Sequence, residues 1–161
     1  MVAKRYWKDL SKNFLDLHRE VTNIESVEVR GYLFDIFPDV FSPAISSDTS
    51  WFSQKLLPIV QGKSLLEIGT GTGVIACIAK LSGASKVIAT DINTSAVKNA
   101  LHNVNKYNLD ISVLQGDMYS PIPPKEKFDI IFWNHPFNYT DNKADQTDDL
   151  SFSVFDLGYR S

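Results

Sequence analysis

The chain has 161 residues, of which 43% are hydrophobic and 22% charged, and this length and composition suit one globular domain with a hydrophobic core. No apolar run approaches the roughly 20 residues that cross a bilayer, and the N-terminus leads into a charged helical pattern rather than a signal peptide, so we predict a cytoplasmic protein with no membrane partner. The net charge of −3 does not indicate a nucleic-acid-binding protein. The chain has a single cysteine, Cys77, so it cannot form an internal disulfide.

Two elements are predicted ahead of the main domain. Aromatic and aliphatic residues recur at three- and four-residue spacing over residues 4–20, which indicates an amphipathic helix. Residues 26–37 are rich in β-branched and aromatic side chains and are interrupted by Gly31, which indicates one kinked strand or a short hairpin. We predict that residues 1–37 form an N-terminal extension and that residues 38–161 form the main domain.

A loop and a helix are predicted next. Pro38 and Pro43 each restrain their own φ and the residue before them, so residues 38–44 are expected to form a rigid extended loop. The Ser-Asp-Thr sequence at 47–49 supplies N-cap chemistry for a helix that ends before Gly62.

From residue 64 onward, predicted strands alternate with predicted helices. Such alternation, with strands as near-continuous apolar runs, is typical of a parallel sheet covered on both faces, so we predict an α/β, Rossmann-like doubly wound fold. Right-handed crossovers place the carboxyl ends of the strands along one edge, where ligands bind. Gly69, Asp91, Asp117 and Asn134 all fall at that edge. Strands are expected over 64–68, 86–90, 111–115 and 128–133, and helices over 72–82 and 94–107.

A glycine turn joins the first of these strands to its helix, with the sequence Glu67-Ile-Gly-Thr-Gly-Thr-Gly73. Glycines lack Cβ, so the turn can adopt positive φ and a ligand can approach the main chain at a helix N-terminus. The spacing departs from the dinucleotide fingerprint, whose third glycine would fall on Val74, and this disfavours NAD. Asp91, about twenty residues further on, can accept hydrogen bonds from both hydroxyls of a ribose, or else help to begin the next helix, whose N-cap would be Asn93 or Thr94.

The glycine turn with its preceding acid resembles motif I of the class I S-adenosylmethionine-dependent methyltransferases. Residues 40–49 look like the V-[YF]-x-P-A-x-D-T loop that packs over the cofactor in the glutamine-modifying members, although a proline turn followed by a helix cap would give the same pattern. Residues 115–118 look like the segment whose acid accepts from the adenine amine and whose next residue packs on the ring; the alternative is an Asx-type turn. The resemblance implies S-adenosylmethionine as cofactor, held by Phe41, Pro43, Thr49, Glu67, Gly69, Thr70, Gly71, Gly73, Asp91, Ile92, Asp117, Met118 and Asn134.

The candidate catalytic residues are Asn134, His135, Pro136 and Phe137, which resemble the [NDS]-P-P-[YFW] motif of methyltransferases that modify a planar nitrogen. An amide or aryl amine is a poor nucleophile because its lone pair is delocalised, so the site must hold the NH₂ hydrogens and fix the nitrogen in line with the methyl group. The resemblance implies that Asn134 Oδ1 and the main-chain carbonyl of His135 are the acceptors and that Phe137 stacks on the target. His135 stands where the motif has proline, which keeps the carbonyl and loses the rigidity, and its ring could act as a base, bind a different substrate or point to solvent. We favour a role for His135 in shape.

The expected function is therefore S-adenosylmethionine-dependent N-methylation of a protein glutamine amide or of a small amide or amine. The first alternative is a nucleic-acid N-methyltransferase, which the net charge and the acidic residues within 141–149 disfavour, and the second is a non-catalytic cofactor-binding module. No metal site is predicted. A complete class I methyltransferase has a seven-stranded sheet, and this chain has residues for strands one to four. We therefore expect a truncated domain whose fourth strand leaves an open edge, through which a homodimer could form.

Overall fold

A helix and a β-hairpin precede the main sheet. The computed structural model describes residues 2–136, 138–139, 148 and 150–156. Helix α1 spans Val2–Arg19, and strands β1 (Glu25–Val29) and β2 (Tyr32–Ile36) pair antiparallel. Arg30 and Gly31 join the two strands with φ values of 57° and 82°, and positive φ at both central residues is what a two-residue hairpin turn requires. Of the two predicted alternatives for this segment, the hairpin is therefore confirmed.

The main sheet has four parallel strands in the order β5-β4-β3-β6. One helix joins the first strand to the second and another joins the second to the third, so the predicted α/β fold class is confirmed. The strands are β3 (Ser64–Ile68), β4 (Lys86–Asp91), β5 (Ser112–Gln115) and β6 (Ile130–Trp133), and the helices are α2 (Asp48–Val60), α3 (Val74–Leu81) and α4 (Thr94–Lys106). Each differs from its predicted bounds by at most two residues at either end.

Both faces of the sheet are covered by apolar side chains. Successive residues of β3 point to opposite faces, so Leu65 packs in the cluster formed with α2 and α3, whereas Leu66 packs against Met118 and Phe128 on the other face. Because the central strands β3 and β4 are largely buried on both faces, the loops at their ends carry the polar groups that reach solvent. This arrangement concentrates the chemistry at the edges of the sheet.

The loop before α2 differs from its prediction. The segment is not extended: Pro43 occupies the second position of a turn closed by Ile45 N donating to Ser42 O at 3.1 Å, and the φ that proline imposes suits that position. Ser47 lies at the N-cap of α2, but its side chain makes no capping hydrogen bond. The amide of Asp48 instead donates to Ser46 Oγ at 3.3 Å.

Strand β6 pairs with β3 on one side, and no strand pairs with its other side in the part of the chain that the structure describes. The side chain of Ile131 on this strand is 54% exposed. Two short strands, β7 (Asn138–Tyr139) and β8 (Phe155–Asp156), pair with each other in a separate parallel sheet. The homodimer through the β6 edge and the division of the chain at residue 37 stay predictions. Among the described residues, no helix is both long and apolar enough to cross a membrane.

Candidate functional site

The loops that follow β3, β4, β5 and β6 surround one cavity of about 160 Å³ at the carboxyl edge of the sheet. The topology places them there, because all four strands run parallel and end at the same edge. Gly69, Asp91, Asp117 and Asn134, the four positions predicted to share this edge, all line the cavity.

The glycine turn is held in a left-handed backbone conformation. Gly69 and Gly71 have φ values of 69° and 55°, which side-chain-bearing residues rarely adopt. The turn is fixed to the neighbouring strand by Thr70 N, which donates to Thr90 O at 3.0 Å. No atom lies within 4 Å of where a Cβ on Gly71 would stand, so the main chain here is open to a ligand.

Asp91 ties the glycine turn to the loop after β4. Its Oδ2 accepts from Gly71 N at 2.8 Å, and its Oδ1 accepts from Asn93 N at 2.9 Å. Asn93 in turn caps α4, since its Oδ1 accepts from Ser95 N at 2.7 Å. Asp91 therefore both lines the cavity and supports the start of α4 through Asn93. Each carboxylate oxygen has more than one acceptor site, so these bonds leave capacity for ligand hydroxyls.

Glu67 is a buried acid beneath the turn, with only 2% of its surface exposed. Burial raises the pKa of Glu67 to about 8, and the charge of Asp91 adds to the rise, although the Thr70 hydroxyl and the Ala76 main-chain N–H favour the charged form. Thr70 Oγ1 donates to Glu67 Oε2 at 2.7 Å. At neutral pH the Glu67 carboxyl is thus mostly protonated, and it lies against the first turn of α3, where main-chain N–H groups lack helical partners.

The loop after β5 presents Asp117 and Met118. Met118 has a φ of 45°, packs against the apolar cluster on its face of the sheet, and accepts at its main-chain oxygen from Thr90 Oγ1 at 3.2 Å. The turn here is closed by Ser120 N donating to the main-chain oxygen of Asp117 at 2.8 Å. The exposed Asp117 carboxylate makes no hydrogen bond with the described residues, so the turn is not of the Asx type.

The loop after β6 carries the candidate catalytic residues. Asn134 is exposed at the cavity, and His135 is half-buried. The His135 ring lies edge-on to Trp133, with centroids 5.4 Å apart, and its Nδ1 is 2.7 Å from the main-chain oxygen of Pro136. A side-chain contact of this kind restrains the same stretch of backbone that proline would stiffen. Phe137 lies outside the described residues.

Most of the predicted cofactor residues border the cavity: Phe41, Thr49, Glu67, Gly69, Thr70, Gly71, Asp91, Ile92, Asp117, Met118 and Asn134. Pro43 and Gly73 do not. A Cβ on Gly73 would lie 2.9 Å from both Cα and Cβ of Ala100, so this glycine lets α3 and α4 approach each other closely.

Thirteen of the residues that line the cavity were not predicted from the sequence, among them Phe52, Trp133, Leu150 and Ser153. Phe52 and Trp133 fall within predicted elements, where aromatic residues are ordinarily assigned to the core, and Phe52 does pack on Phe132 with centroids 5.2 Å apart. Leu150 and Ser153 follow the last strand of the main sheet in the sequence and also line the cavity. Trp133 could have been predicted, because it is the last residue of a strand that ends at the carboxyl edge of the sheet. No motif pointed to Leu150 or Ser153.

The sequence model of the methyltransferase small domain family matches residues 32–150. The chain belongs to this family. The predicted family and its cofactor, S-adenosylmethionine, are thereby confirmed. A protein assigned as an N5-glutamine methyltransferase in Methanocaldococcus jannaschii is 35% identical over 128 residues, which cover 78% of this chain and 62% of that protein.

Other members and structures extend the comparison. The release factor glutamine methyltransferase of Bordetella pertussis is 31% identical over 114 residues, covering 68% of this chain and 42% of that protein. The matched part of this chain therefore spans less than two thirds of the length of either relative. A solved structure of the 16S rRNA N2 G1207 methyltransferase of T. thermophilus, in complex with AdoMet and guanosine, has a TM-score of 0.63 at 24% identity and covers 72% of this chain and 33% of that one. Likeness at that identity shows the fold alone.

The cavity has groups that fit the ribose, the adenine and the carboxylate of S-adenosylmethionine. Asp91 offers two fixed carboxylate oxygens for ribose hydroxyls, and Asp117 offers acceptors beside the apolar Met118 for an amino-bearing ring. The open main chain at Gly71 stands at the N-terminus of a helix, where a carboxylate is stabilised.

Proposed function

We propose that this chain binds S-adenosylmethionine at the carboxyl edge of its sheet and serves the N-methylation of a planar nitrogen, with a protein glutamine amide as the preferred acceptor and a small amide or amine as the other. One observation carries the proposal: the Asp91 carboxylate and the Asn134 side chain, which have the chemistry for a nucleoside and for an NH₂ group, line the same cavity.

The cofactor half of the proposal depends on residues of three loops. Asp91 binds the ribose hydroxyls, the glycine turn receives the amino-acid end, and Asp117 with Met118 holds the adenine. The bonds from Gly71 N and Asn93 N fix the Asp91 carboxylate before any ligand arrives, so little orientational freedom is lost on binding. When bound, S-adenosylmethionine supplies an electrophilic methyl group on its sulfonium.

The acceptor half depends on the loop after β6. Asn134 Oδ1 and the main-chain carbonyl of His135 accept the two hydrogens of the target NH₂ and so orient its nitrogen. Pro136 restrains the backbone that presents these oxygens, together with the contact between His135 Nδ1 and Pro136 O. Stacking of Phe137 on the planar target belongs to the proposal through the motif alone.

The preference for a protein acceptor has two supports. The two relatives named for glutamine methylation share more than 30% identity with this chain. The net charge is −3, and Arg19 is already engaged by Asp148 at 2.7 Å, so the charge balance does not favour a polyanion. Nucleic-acid methylation and cofactor binding without turnover are the outcomes to be separated by experiment.

Calorimetric titration with S-adenosylmethionine and with NAD tests the cofactor half. The wild-type chain should bind the first and not the second. Asp91→Ala should raise the Kd by about 100-fold or more, since two hydrogen bonds to a charged group are lost. Asp110→Ala, which removes an exposed acid at the surface, is the matched control and should bind as wild type does. Equal binding by wild type and Asp91→Ala would refute the assignment.

Radiolabel transfer to fractionated cell lysate tests the acceptor half. Label that disappears after protease treatment supports a protein acceptor. Label that disappears only after nuclease treatment overturns the preference for protein. Cofactor binding with no labelled acceptor in any fraction identifies a module without turnover.

A further inference from the structure

Helix α4 and its N-cap carry three asparagines that are removed from solvent. Asn93 is 6% exposed, and Asn99 and Asn103 are fully buried. A buried amide is costly unless its donors and acceptor are all paired, so each of these side chains must have partners. Their partners lie in the segment that follows the hairpin.

The bonds from these amides fall on alternate residues of one extended stretch. Asn103 Oδ1 accepts from Asp35 N at 2.9 Å, and Asn99 Oδ1 accepts from Phe37 N at 2.8 Å. The Nδ2 atoms of Asn103 and Asn99 donate to Asp35 O at 2.8 and 2.7 Å.

Residues 35 and 37 share one side of the chain, the side that a neighbouring strand would otherwise occupy. A third bond holds the turn that follows, since Asn93 Nδ2 donates to the main-chain oxygen of Asp39, whose φ is 60°. We call Asn93, Asn99 and Asn103 the asparagine ladder, because together they bind the main chain of this segment.

The ladder connects the fixed segment to the cavity from two directions. Residue 39 lies two positions before Phe41, whose side chain lines the cavity. At the other end, Asn103 Nδ2 also donates to Thr72 O at 2.9 Å, inside the glycine turn. The position of Phe41 relative to the glycine turn is thus set through the same helix face.

We propose that Asn99 and Asn103 are positioning residues for cofactor binding: they fix the main chain of residues 35–39 and thereby set where Phe41 stands against the cavity. The inference rests on the proposed function, because it takes the occupant of the cavity to be S-adenosylmethionine. Neither Asn99 nor Asn103 borders the cavity, so their effect on the ligand passes through the segment that they hold.

A double-mutant cycle between Asn99 and Phe41 tests the inference, with the Kd for S-adenosylmethionine measured by calorimetry on the full chain. Asn99→Ala and Phe41→Ala should each weaken binding by about tenfold, and the double variant should bind about as weakly as Phe41→Ala alone. Asn105→Ala on the exposed face of the same helix is the matched control and should leave the Kd unchanged. Effects that multiply to about 100-fold in the double variant, or wild-type affinity in Asn99→Ala, overturn the inference.

A second variant covers the case in which Asn99→Ala does not fold. Asn93 itself borders the cavity. Asn93→Ser keeps a good N-cap for α4 and removes the donor to Asp39 O, and it should show the same non-additivity with Phe41→Ala. Independent additivity for Asn93→Ser and Phe41→Ala likewise overturns the inference.

Amide hydrogen exchange separates failure of this inference from failure of the proposed function. If the wild-type chain binds no S-adenosylmethionine, the proposed function fails, and the ladder is still tested by exchange at Asp35, whose main-chain N–H donates to Asn103 Oδ1. Faster exchange there in Asn99→Ala than in Asn105→Ala supports the ladder, and equal exchange refutes it.

Discussion

Replacing Gly73 by alanine tests how closely the glycine turn is packed. The new Cβ would lie 2.9 Å from Cα and Cβ of Ala100, neither of which can rotate away, and the φ of 78° would be strained for any side chain. The strain costs about 1–2 kcal/mol and the overpacking about 1–3 kcal/mol. We therefore expect Gly73→Ala to lower the free energy of unfolding by roughly 2–5 kcal/mol.

Gly71→Ala is the matched control for this prediction. Its φ is 55°, but no atom lies within 4 Å of the new Cβ, so only the strain of about 1–2 kcal/mol applies. Urea denaturation followed by circular dichroism measures both variants. The order should be reversed for cofactor affinity: Gly71→Ala should weaken binding more than Gly73→Ala does, because Gly71 borders the cavity and Gly73 does not. A Gly73→Ala chain as stable as Gly71→Ala would show that α3 and α4 are not in close contact here.

Three further predictions concern titration and assembly. Burial raises the pKa of Glu67 to about 8, so its contribution to stability falls as pH rises from about 4.5 to 8. In urea titrations Glu67→Gln should therefore gain stability relative to wild type over that range. The same pH dependence of stability in both chains would contradict the raised pKa. Burial lowers the pKa of His18, so its contribution to stability is present above pH 6.5 and is lost below. His18→Phe should lessen the loss of stability from pH 7 to 5, and an unchanged loss would exclude His18 as its source. If a second copy pairs with β6, Ile131→Lys should shift the sedimentation coefficient from dimer to monomer, whereas a wild-type monomer at high concentration would refute the dimer.

The sheet and the residues at its carboxyl edge were predictable, because they depend on the local sequence pattern and on chain topology. Apolar strands such as 64–68 are unmistakable when helices separate them, and parallel strands leave no choice about where their carboxyl ends lie. The positions of Asp91 and Asn134 at one cavity follow from that rule together with their place directly after a strand.

The parts that sequence reasoning missed depend on contacts between distant elements. Gly73 has the sequence context of a ligand-binding glycine because it belongs to the glycine turn, and only the approach of α4 reveals its packing role. Asn99 and Asn103 fall at positions that a helical pattern assigns to a polar surface, and their burial depends on the hairpin that lies over them. Ser47 has the chemistry of a cap, but it is the hydroxyl of Ser46 that accepts from the first amide of α2.

The cavity has walls from opposite ends of the chain. Phe41 lies before the sheet, and Leu150 and Ser153 lie after it. Leu150 packs with Leu15 of α1, so the two ends meet beside the cavity. The ribosome therefore synthesises the glycine turn and Asp91 well before Leu150 and Ser153. A nascent chain that ends between them has only part of the cavity lining. Cofactor capture then depends on completed translation through residue 153, and chains stalled before Leu150 should bind S-adenosylmethionine more weakly than released ones.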